Sequence, residues 1–119
     1  MDAVRRARDW EAYANAYWAA ARQLADADRS LALPRLRLAS LALEYRLRAF
    51  ICEARGGTPE GGDLGRLMRL AVFCGLELDP EQRAVIERLG RLHQGDCDLD
   101  GAPTMATVAG LLEDIASNA

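Results

Sequence analysis

Six consecutive residues late in the chain carry its most explicit ligand chemistry. Asp96-Cys97-Asp98-Leu99-Asp100-Gly101 reads D-x-D-x-D-G, the first half of a calcium loop, in which alternate carboxylates ligate the ion and a sixth-position glycine makes the turn. On this pattern Asp96, Asp98 and Asp100 are the candidate metal ligands of a calcium-stabilised fold. The second half departs from the pattern. Position eight is Pro103, and position twelve, where a bidentate glutamate closes such a site, is Thr107. The competing reading is an acidic turn ahead of a helix N-terminus, where negative charge is stabilising.

Other reactive groups are sparse. His93 is the sole histidine, which excludes multi-histidine metal sites and histidine-pair catalysis within one chain. Cys52, Cys74 and Cys97 are odd in number, widely spaced and form no CxxC pair. They fit reduced thiols of a cytoplasmic protein better than a disulfide framework or a zinc knuckle. Cys52 and Cys74 read as small core residues, and Cys97 as an exposed thiol whose acidic neighbours disfavour the thiolate. Ser30, Ser40 and Ser117 stand in no nucleophile-elbow context. The stretch Gly56-Gly57-Thr58-Pro59-Glu60-Gly61-Gly62 has no strand before it and no GKS or GKT, so it reads as an inter-helix connection rather than a phosphate cradle. No cofactor is implied.

The elements that must position these groups follow from composition and periodicity. The 119 residues are 50% apolar and 28% charged, with a net charge of −3, which predicts one soluble domain spanning 1–119 and gives no footprint of a general nucleic-acid coat. All fifteen basic residues are arginine, a bias that reads as base composition. No run of about 18 apolar residues could span a bilayer, and no signal peptide opens the chain.

The hydrophobic pattern is helical almost throughout. Trp10, Tyr13, Ala14, Tyr17, Trp18, Ala21 and Leu24 recur at three- and four-residue steps, predicting a first helix whose aromatic stripe faces the core rather than a base-stacking platform. A second helix, with Pro34 in its first turn, runs to about Arg55. It carries two apolar stripes: Leu36, Ser40, Leu43, Leu47, Phe50 and Ala54, then Leu38, Leu41, Tyr45, Ala49 and Cys52. An arc that wide predicts a central helix, or one shared with a partner subunit. Its charges are mixed, Arg37 and Arg48 sharing a side with Glu44, which reads as a salt-bridged solvated face. Asp63 caps a third helix that stops at Gly75, and Asp79-Pro80 opens a fourth with the stripe Val85, Ile86, Leu89, Leu92 and His93. A last helix runs from Thr104 to about Ser117. The expectation is an all-α, five-helix up-and-down bundle.

The middle of the chain resembles a known family. Leu38-Ala39-Ser40-Leu41-Ala42-Leu43-Glu44, then Leu47-Arg48-Ala49-Phe50, the glycine-rich loop and Gly62-Asp63-Leu64-Gly65-Arg66-Leu67 are similar to the HEPN helical bundles. There an "A-x-E-x-x-L-K-A" helix precedes a glycine-rich loop and an "H-D-L-x-x-L" helix start. The likeness covers about residues 31–95, with Gly62 at the usual histidine and Arg48 at the usual lysine. It implies a homodimer, and a possible nucleotidyltransferase-like antitoxin as partner. Many HEPN proteins are metal-independent endoribonucleases working through R-x4–6-H, the histidine moving a proton and the arginine stabilising phosphate charge. Arg88-Leu89-Gly90-Arg91-Leu92-His93 satisfies R-x4-H and makes Arg88 and His93 the candidate catalytic pair. Three features oppose that role. Leu89 stands where the family usually has a polar residue. Five helical residues separate Arg88 and His93 by roughly 140°. His93 also falls in the apolar stripe, as a hydrogen-bonded helix-end histidine would. The favoured expectation is a non-catalytic, homodimeric binding module, with the ribonuclease as its alternative.

Overall fold

The computed structural model describes residues 2–24, 29–95 and 98–117. Asp96 and Cys97 of the acidic loop lie outside the described residues. Those described form five helices and no strand: α1 (Asp2–Gln23), α2 (Ala32–Arg55), α3 (Leu64–Phe73), α4 (Pro80–His93) and α5 (Met105–Ser117), with a 3-10 turn, Arg29–Leu31, leading into α2.

Local chemistry sets most of the boundaries. The Asp63 carboxylate accepts from the Arg66 N–H at 2.8 Å and starts α3. Asp79 and Gln82 form a reciprocal capping box around the N-terminal Pro80 of α4, and the Thr104 hydroxyl accepts from the Thr107 N–H at 3.1 Å to start α5. Such caps satisfy amides that no helical carbonyl can reach. Helix α2 ends where Gly56 turns left-handed at φ 84°, and Gly75, at φ 111°, ends the turn after α3.

Each of the other four helices packs on α2. Leu36, Leu43, Leu47 and Ile51 of α2 are buried together with Leu64, Leu67 and Met68 of α3, Ile86, Leu89 and Leu92 of α4, and Val108, Leu111 and Ile115 of α5. The wide apolar arc of α2, which predicted a central helix or one shared with a partner subunit, places α2 at the centre of the chain's own helices, with Leu38 and Leu41 half-buried. Ala54, expected in the first stripe, is exposed. Among the described residues no helix is long and apolar enough to cross a membrane. The radius of gyration, 13.7 Å, is near the roughly 13.5 Å of a compact chain of this length.

The α1–α2 pair corrects one expectation. Residue pairs across it run in opposite directions, Trp10 beside Arg48 and Asn15 beside Arg46, so the two helices are antiparallel. Among the residues of α1 whose side chains are described, those that are buried are Ala7, Ala14 and Ala21, seven apart, and α2 buries Ala39, Ala42 and Ala49. Trp10, Tyr17 and Trp18 are only half-buried, and Tyr13 is 55% exposed. Small side chains let two helices approach closely. Rings of this size do not fit such a seam: Tyr17 and Trp18 pack against the core from its margin, and Trp10 and Tyr13 lie along the edge.

Candidate functional site

Along that edge, where α1 and α2 meet the glycine-rich connection, lies a cleft of about 490 Å³. Its walls are Arg6 and Trp10 from α1, Glu44, Tyr45 and Arg48 from α2, and the connection from Gly57 to Gly61. The volume falls within the range of small-molecule sites.

Arg48 organises the cleft. The residue is 6% exposed. Its Nη1 donates to the Thr58 hydroxyl at 3.2 Å and to the Pro59 carbonyl at 2.7 Å, and its Nη2 to the Gly61 carbonyl at 2.7 Å. Nε faces Glu44 Oε2 at 3.4 Å one helical turn back. The guanidinium carbon also stands 5.6 Å from the centre of the Trp10 ring, within cation–π range. A loop rich in glycine has few side chains with which to satisfy its own carbonyls, and Arg48 supplies the donors.

The aromatic wall is continuous. Tyr45 lies between Trp10 and Tyr17, with ring centres 5.5 and 5.3 Å away and planes 17° and 12° from parallel. Tyr13 tilts against Tyr45 at 5.5 Å. Burial, then Tyr17 and Glu44, push the Tyr45 hydroxyl above its ordinary pKa, with Arg48 opposing, so it is a neutral group at physiological pH. The Cys52 thiol, fully buried under the same cleft, is also held above the ordinary thiol range, chiefly by burial and against Arg6. A buried neutral thiol is a poor nucleophile.

The R-x4-H pair sits elsewhere, on α4. Arg88 Nη2 donates to the Asp98 carbonyl and, at 3.2 Å, to the Asp100 carbonyl, so its guanidinium holds the loop after α4. His93 is the last residue of that helix and half-buried. Its Nδ1 is buried without a hydrogen-bond partner, so the hydrogen bond expected of a helix-end histidine is not made by this atom. Helix α2 serves the end of α4 instead. Arg37 Nε reaches the Leu92 carbonyl at 3.4 Å, and the buried Ser40 hydroxyl, bonded to Leu36 at 2.8 Å, lies 3.3 Å from the Leu89 carbonyl. Arg48 is eight residues beyond Ser40, about 12 Å along the helix.

Of the acidic loop, Asp98 and Asp100 are described. Both are exposed, and Asp98 Oδ1 accepts the Asp100 N–H at 3.0 Å, the geometry of an Asx turn. Among the described residues no three His, Cys, Asp or Glu side chains are grouped as a metal site.

Sequence reasoning placed Trp10, Tyr13 and Tyr17 in the core and Arg48 on a solvated face. The Arg48–Glu44 pairing was legible from their spacing of four, but the burial was not. One signal lay in plain view: Arg48 interrupts the apolar run Leu47 to Cys52 just before a loop full of orphan carbonyls. No family model matches the chain, and neither a curated protein nor a solved structure matches it.

Proposed function

We propose that the protein is a non-catalytic, HEPN-like binding module whose recognition surface is the Trp10–Tyr45–Arg48 cleft. The observation that carries this reading is the investment of a buried arginine in shaping that cleft, with four neighbouring groups fixing its guanidinium. The walls combine flat apolar surface with a few oriented polar groups, the composition of a binding site. The ribonuclease alternative asks Arg88 to meet phosphate, whereas its guanidinium is engaged with the loop carbonyls at 98 and 100.

The test is incubation of the purified protein with a pool of structured and single-stranded RNA in EDTA, beside Arg88→Ala and His93→Ala. The binding-module reading expects no cleavage by any of the three. Metal-free cleavage that disappears in both folded variants would replace this reading with the ribonuclease.

A further inference from the structure

Gly65, Gly90 and Gly110 lie inside helices, and two of them are explained by what packs on them. A side chain at Gly65 would press on the Arg69 guanidinium at 3.3 Å, and one at Gly90 on the Leu64 side chain at 3.4 Å. Gly110 of α5 differs, because a methyl group there would meet nothing within 4 Å. A glycine in the middle of a helix weakens it relative to alanine, and no contact within the chain asks for this one.

Gly110 opens onto a groove of about 260 Å³ between α4 and α5, helices that pack on α2 but scarcely on each other. Val85, Gly110 and Leu111 supply apolar lining, and Asp79, Glu81 and Asp114 supply acidic lining. Among the described residues no arginine lines the groove. Its complement is therefore a surface both apolar and cationic, and the missing Cβ lets that surface approach the α5 backbone.

The chain presents such a surface itself. Phe73 is 87% exposed, the most exposed of the large apolar side chains described. Arg66, Arg69 and Leu70 precede it by seven, four and three residues, so the four share one stripe of α3, on which both arginines are exposed and Leu70 is half-buried. Neither arginine is within ion-pair distance of a described carboxylate. We infer that the groove receives the α3 stripe of a second copy of this chain, with Phe73 entering over Gly110 and the two arginines meeting Asp79, Glu81 and Asp114. Phe73 and Asp79 are six residues apart, hence within roughly 20 Å of each other. Both surfaces thus lie in one region of the molecule, and two copies can exchange them reciprocally about a two-fold axis. The contact uses neither the α2 arc nor the Trp10–Arg48 cleft, and it stands apart from the binding-module reading.

The experiment is sedimentation velocity of the full chain between about 5 and 500 µM, in about 50 mM and about 500 mM sodium chloride. The expected result is a monomer–dimer equilibrium with a Kd on the order of 10–100 µM at low salt, as suits a contact centred on one aromatic side chain from each copy. High salt should weaken it at least about fivefold. Phe73→Ser, at an exposed position, and Gly110→Leu, where the space is open, should each stay folded by circular dichroism and weaken dimerisation at least about tenfold. Mixed together, the two variants should associate more tightly than either alone, because the groove of the first and the Phe73 of the second are intact. A chain that is monomeric throughout this range overturns the inference, whatever else the groove accepts. Dimerisation that survives either substitution, or that is indifferent to salt, overturns it as well, and so does a mixture that associates no more tightly than its parts. Every one of these outcomes leaves the RNA assay untouched.

Discussion

Two arginines each hold a glycine-bearing loop against a helix. Arg48 ties the connection at 56–62 to α2, and Arg88 ties residues 98–100 to α4. Both donate to two backbone carbonyls, and Arg48 also to the Thr58 hydroxyl and the Glu44 carboxylate. Arg48, however, is buried, faces a carboxylate and a tryptophan ring, and forms the wall of a cleft, while Arg88 makes its bonds at an exposed turn. The arginine that matches a catalytic motif is thus not the one that lines the cleft. A guanidinium's value depends on what it has been desolvated against, and spacing along the chain does not record that.

The comparison can be broken most sharply at Arg48. Arg48→Ala removes a buried guanidinium from Glu44, Thr58, the Pro59 and Gly61 carbonyls and the Trp10 ring, so it should cost about 2–4 kcal/mol in denaturant unfolding. Hydrogen exchange should accelerate at residues 57–61 ahead of global opening. A loss below about 1 kcal/mol would mean that water replaces the arginine freely and that the two arginines are equivalent.

Arg88→Ala should cost only about 1 kcal/mol, because its carbonyl partners become available to water. Its effect on hydrogen exchange should be confined to the loop between α4 and α5. A larger loss than that of Arg48→Ala would invert the comparison.

The smallest expected effect lies in alkaline titration. Folding raises the Tyr45 pKa above its ordinary 10.0, so the native state favours the protonated hydroxyl. Stability from this source is complete below pH 10 and is lost as pH climbs through the raised value. Cys52 acts with the same sign above its ordinary 9.0. Tyr45→Phe should therefore flatten part of the decline in unfolding midpoint as pH rises above the ordinary 10.0 of tyrosine. Identical profiles for the two proteins would remove Tyr45 from the account.

Helix existence and most boundaries were legible because their causes are local. Asp63, Asp79-Pro80, Thr104 and the glycines at 56 and 75 act on amides or dihedrals within a few residues of themselves. The central place of α2 followed from the breadth of its apolar arc. What periodicity could not supply was the choice among residues on one face of α1. Trp10, Tyr13, Ala14 and Tyr17 all qualify as stripe members, but the closeness of α2 admits only the alanine. Arg48 was hidden for a different reason. Its acceptors are carbonyls of a loop, and no residue type announces where a carbonyl points.

The alanines at 7, 14 and 21 work as a spacer gauge. They touch no part of the cleft, yet the separation they allow between α1 and α2 sets where Trp10 stands relative to Arg48 and Tyr45. A bulkier residue at any of them would move one wall of the cleft away from the other without altering a single lining side chain. The width of the cleft is therefore open to adjustment from positions that do not line it.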